Sequence, residues 1–157
     1  MLTPAFRSSH AASAPLALFV GTGASLCAHG KALDKASKGA LSAALSHASF
    51  TGKAGQVQSF IGLPGISHPH VIAVGVGEAR KLTLKAIEDA AGHAVGALLA
   101  AKVKQGEICA LLPAGSKLDA AKAAAHAALG AQLRTYRFDK YRTKEKPEDK
   151  PQLKSIA

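Results

Sequence analysis

Two glycine pairs stand where an α/β protein could cradle a phosphate: Gly21 and Gly23 in "GTGAS", and Gly75 and Gly77 in "GVGEAR". Each follows an apolar run, and backbone amides in such turns bind anions. Neither pair completes the GxGxxG spacing, because Leu26 and Arg80 occupy the third glycine's place, and GxxxxGK[ST] is absent. The glycines therefore read first as turns at the edge of a sheet.

Seven histidines invite a metal reading, but their spacing does not carry it. His68 and His70 flank Pro69 in an expected loop, the other five are scattered, and no HExxH is present. The His68/His70 pair is expected to be solvated. Cys27 and Cys109 lie too far apart for a CxxC site and are too few for a disulfide framework, so two buried, reduced thiols are expected. No serine sits in GxSxG. The ten acidic residues fall mostly on expected helix surfaces or near the C-terminus, which assembles no catalytic carboxylate pair.

The formal net charge of +10 raises the question of nucleic acid. Residues 134–154 hold eight Lys/Arg and four Asp/Glu, and residues 1–133 hold twelve and six, so the excess is spread along the chain. The basic residues interleaved with aromatics are Arg134, Arg137, Lys140 and Arg142, beside Tyr136, Phe138 and Tyr141. These four are the candidate nucleic-acid contacts, and DNA binding is a subordinate reading.

The elements that must position these residues follow from hydrophobic periodicity. At 157 residues, with 48% hydrophobic and 19% charged, the chain suits one folded domain. No apolar run approaches the ~20 residues that span a bilayer. Residues 16–20 suit a buried strand better than a signal-peptide core, which implies a cytoplasmic protein. Strands are expected over residues 15–21, 57–62, 70–78 and 108–112, the third central in the sheet. Helices are expected over 31–48, from Thr83 through Leu98, and over 118–133 behind a Ser116/Asp119 capping box. Gly92 and Gly96 are expected to let the second of these approach the sheet closely. Strands alternating with helices give an α/β layer architecture with largely parallel strands.

The segment "VIAVGVGEARKLTLKAIEDAAGHAVGALLAAK", followed later by "AAHAALGAQLRTYRFDKYRTK", resembles the N-terminal domain of the leucyl (cytosol) aminopeptidase family. The resemblance rests on Gly75 and Gly77, on Thr83 with Ala90, Ala91 and Gly92, and on Tyr136, Arg137, Phe138, Asp139, Tyr141 and Arg142. It covers most of residues 55–157, whereas residues 1–50 match only in pattern.

The resemblance implies a macro-domain-like three-layer sandwich, a mixed, mostly parallel sheet flanked by helices. It divides the chain into a macro-like domain over residues 1–142 and an exposed loop with a final strand over 143–157, leading towards a catalytic domain. Tyr136, Phe138 and Tyr141 would anchor the last helix against the sheet. The family's active site, with two divalent metal ions (Zn or Mn), lies in that C-terminal domain. Its NTDAEGR-like and GKGVTFDSGG-like motifs are absent here, so no catalytic, cofactor-binding or metal-binding residue is assigned. The implied partners are the catalytic domain and neighbouring subunits of a homo-hexamer, with a role in assembly and substrate access. The macro-domain likeness also raises binding of ADP-ribose or another nucleotide through the glycine turns, with Asp34 as the only early carboxylate and placed in a helix.

Overall fold

The computed structural model describes residues 3–8, 10–11, 13–136 and 152–157. Its centre is β1 (Leu16–Gly21) beside β4 (His70–Gly77), with β2 (Ser25–Leu26) and β3 (Val57–Ile61) between them in the chain. With β5 (Gln105–Cys109) and β6 (Ser155–Ile156) the sheet runs β3-β4-β1-β5-β6, and β2 folds back on β1. β4, β1, β5 and β6 are parallel, and the edge strand β3 is antiparallel to β4. This is the expected mixed, mostly parallel α/β sheet.

Alternation along β1 builds the layers. Leu16, Leu18 and Val20 join Leu41, Leu45 and Phe50 on one face, while Ala17 and Phe19 join Ile87, Ala91 and Val95 on the other. All six residues of β1 are buried, which is why the strand reads as a continuous apolar run. The first face is covered by α1 (Ala28–Ala36) and α2 (Ala40–His47), the second by α3 (Leu84–Ala100) and α4 (Ala120–Thr135).

Several local expectations shift. The single helix over 31–48 is two helices, because the backbone turns left-handed at Lys38 and Gly39, with φ of 54° and 85°. Asp34 then accepts from the Ser42 amide and hydroxyl, tying α1 to α2 across the break. The strand over 108–112 lies instead at residues 105–109, so Glu107 is inside it and Leu111 outside. Asp119, not Ser116, caps α4 by accepting from Lys122 N, while Ser116 Oγ accepts from Leu118 N. Thr83 caps α3 as expected, accepting from Ala86 N.

Gly92 and Gly96 face α4 rather than the sheet, the first towards the Gly130 carbonyl and the second towards the Arg134 guanidinium. The α3–α4 approach is closest at Gly130, where a Cβ would overlap the Glu88 carbonyl. Tyr136 is 60% exposed and anchors nothing against the sheet. Phe138 and Tyr141 lie outside the described residues.

Candidate functional site

Three places bring chemistry-bearing groups together. The first is the glycine edge at the ends of β1 and β4. Here the chain uses its own carbonyls to occupy the amides that a phosphate would need. Thr22 N donates to Gly77 O, Gly23 N to Thr51 O, Gly75 N to Gln56 O and Gly77 N to Gly52 O, all at 2.7–3.0 Å. Gln56 Oε1 in turn accepts from the Thr51 and Gly52 amides, fixing the 51–56 loop on the sheet. Gly75 is required by this contact, since a Cβ there would overlap the Lys53 carbonyl. The glycines thus serve close backbone packing, and Asp34 is engaged with Ser42.

The second is the groove between α3 and α4, an open cavity of about 840 Å³ lined by Lys85, Glu88, Asp89, His93, Arg134 and Tyr136, among others. Arg134 sits in the last turn of α4. Glu88 and Asp89 line the same groove and pair with Lys85, and Glu88 also meets His126 Nδ1 at 3.4 Å. A phosphate backbone entering the groove would meet carboxylates beside the guanidinium. Arg137, Lys140 and Arg142 lie outside the described residues, so among the four candidate contacts the structure places Arg134.

The third was not legible as a site in the sequence. Glu107 on β5 is 3% exposed, and its carboxylate accepts from Ala11 N with both oxygens at 3.0 Å and meets His10 Nδ1 at 3.1 Å. The His10 ring lies 4.4 Å from that of His29 at a tilt of 43°, and His29 meets His68 edge-on at 6.4 Å. His68 is buried rather than solvated and donates from Nδ1 to the Ala14 carbonyl at 2.8 Å. His70, also expected in solvent, is the buried first residue of β4, and its Nε2 has no hydrogen-bond partner among the described residues. Burial lowers the His70 pKa, and burial together with the neighbouring His10 and His68 lowers that of His29.

Two residues beyond Glu107 on the same face of β5, Cys109 meets Cys27 across the fold. Both thiols are free and buried, as expected, and their sulfurs are 3.9 Å apart. Cys27 caps α1, its sulfur accepting from Gly30 N at 3.4 Å. The hydrogen bond from Cys109 and the amides at the helix start lower the Cys27 pKa to about 6 against the opposing effect of burial. The Cys109 thiol is pushed up by donating to Cys27 and by burial. A cavity of about 240 Å³ opens at Cys109, walled also by Glu107, His10 and Phe6 and, on α4, by Ala127 and Ala131; Cys27 does not line it.

Among the described residues, no group of three or more His, Cys, Asp or Glu could hold a metal ion. No helix of the described chain is long and apolar enough to cross a membrane. The fold and these sites define a macro-like α/β domain whose glycine edge is closed by its own loop.

The model of the cytosol aminopeptidase family N-terminal domain matches residues 17–145, and the chain belongs to that family. A probable cytosol aminopeptidase of Caulobacter vibrioides is 37% identical over 145 residues, covering 92% of this chain and 28% of that protein. The chain thus spans roughly a quarter of the length of such relatives. Among solved structures, the bottromycin maturation enzyme BotP matches with a TM-score of 0.67 and 26% identity over 92% of this chain and 26% of its own. A tomato leucine aminopeptidase mutant matches in fold with a TM-score of 0.71 at 22% identity, over 92% of this chain and 29% of its own. The macrodomain of Mycobacterium tuberculosis DarG shares the fold at a TM-score of 0.61 and 13% identity, over 99% of this chain and 95% of its own.

Proposed function

We propose that this chain acts as the non-catalytic N-terminal domain of a metal-dependent leucyl aminopeptidase, contributing to subunit assembly and substrate access. In this reading a separate C-terminal domain with two Zn or Mn ions releases N-terminal amino acids from peptides, in a cytoplasmic homo-hexamer. The observation that carries it is the family match over residues 17–145, which falls on the N-terminal domain and not on the peptidase domain. Supporting it, the relatives are named as cytosol aminopeptidases, and BotP was also solved in complex with Mn.

The test is hydrolysis of leucine p-nitroanilide by this 157-residue chain with added Mn²⁺ or Zn²⁺, beside the full-length Caulobacter relative. No turnover above buffer is expected from the chain, and chelator-sensitive turnover that survives purification would overturn the reading. Deleting the corresponding domain from the relative tests assembly and access. Altered sedimentation and a changed ratio of kcat/KM between long and short peptides are expected.

The geometry weighs against the nucleotide alternative, because the glycine amides at the sheet edge are bonded within the chain. It weighs against DNA at Arg134, because Glu88 and Asp89 share its groove. Salt-dependent DNA binding abolished by Arg134→Ala would reverse that second judgement.

A further inference from the structure

We infer that Cys27 and Cys109 form a peroxide-reactive dithiol that closes to an intramolecular disulfide, tying the start of α1 to the end of β5. The placement is tertiary, since the two residues are 82 positions apart and reach 3.9 Å only when α1 packs on the sheet. Their sulfurs already touch, and a further approach of roughly 2 Å reaches bonding distance. This inference stands independently of the aminopeptidase reading, because it needs only the folded domain.

Three features make the pair reactive rather than inert. Cys27 is held at a helix N-terminus by the Gly30 amide, which stabilises a thiolate, and thiolate is the nucleophile. Cys109, which keeps its proton, is the resolving thiol at contact distance. The cavity of about 240 Å³ has Cys109 but not Cys27 in its wall, so a solute as small as hydrogen peroxide approaches from the Cys109 side, at the residue whose sulfur lies 3.9 Å from that of Cys27.

The steps balance. The Cys27 thiolate attacks one peroxide oxygen, the O–O bond breaks, and sulfenic acid and hydroxide result. The Cys109 sulfur then attacks the Cys27 sulfur, the S–O bond breaks, and the sulfenic oxygen leaves as water with the Cys109 proton. Two thiols are oxidised by two electrons, and one peroxide is reduced.

The experiment is titration of the full chain with hydrogen peroxide, followed by intact-mass and non-reducing peptide analysis. The expected result is loss of two hydrogen masses, a Cys27–Cys109 cross-linked peptide, and full reversal by dithiothreitol. The rate should rise with pH through a midpoint near 6, the value to which the Cys27 thiol is lowered. Cys109→Ser is expected to stall at a sulfenic acid on Cys27 that dimedone traps, and Cys27→Ser to give no cross-link. Thiols that remain unmodified under peroxide while the fold is intact would overturn the inference. So would stable oxygen addition to the wild-type cysteines without a cross-link, or disulfides only between molecules. Circular dichroism of both serine variants separates loss of reactivity from loss of fold.

Discussion

Glu107 shows how one buried charge can hold a segment that has little apolar surface of its own. Its carboxylate collects the Ala11 amide and the His10 ring, with Arg7 at 3.9 Å, and so pins the N-terminal segment over the end of the sheet. A second tie is the Ala5 amide, which donates to the Ile156 carbonyl on β6. Replacing Glu107 with Ala leaves the part-buried Ala11 amide without its acceptor, for which a loss of about 1 kcal/mol is expected. Urea denaturation reads that loss, and limited proteolysis should show faster cleavage within residues 3–11. An unchanged midpoint and unchanged cleavage would mean that the carboxylate contributes nothing to the strap.

At the scale of elements, the α3–α4 pair is set by small residues rather than by large apolar ones. Ala91, Ala94, Ala123, Ala127 and Ala131 are buried in the shared core, and Gly130 lets α4 meet the α3 backbone at Glu88. Such close packing leaves no room for a methyl group. Gly130→Ala is therefore expected to destabilise the domain by about 1–3 kcal/mol despite alanine's higher helix propensity. Chemical denaturation of the variant checks the sign, and stabilisation would show that the helices separate at no cost. The same logic explains an expectation that failed. A helix stripe containing Gly92 and Gly96 announces a close neighbour, but the stripe alone does not say whether that neighbour is a sheet or a helix.

For the whole molecule, acid should be the weak direction. His29 and His70 are held neutral in the folded state, with pKa values below the usual 6.5. The unfolded chain binds the additional protons first, so the contribution of these two rings is full above about pH 6.5 and falls as pH drops below it, until the folded-state values are passed. The Cys27 thiol adds a loss of the same sign as pH falls from 9.0 through about 6. Thermal or urea unfolding between pH 8 and 5 checks this, and His70→Gln is expected to flatten part of the slope. A pH-independent midpoint across that window would contradict the burial of both rings.

Architecture and family were both readable from residue order alone. The apolar runs of β1 and β4, the Thr83 cap and the glycines beside them are local signals, because they report how one segment meets its own backbone and the nearest layer. The break at Lys38 and Gly39 was hidden because an alanine-rich pattern continues through it with apolar residues on both sides. Which distant residues meet depends instead on how the layers pack. Placing the β5 strand over the apolar residues 108–112 left Glu107 outside it, because a carboxylate in a buried strand is costly unless remote donors satisfy it. Those donors come from residues 10 and 11, nearly a hundred positions away. Likewise, spacing alone makes Cys27 and Cys109 two unrelated thiols, and the packing of α1 on the sheet makes them a pair.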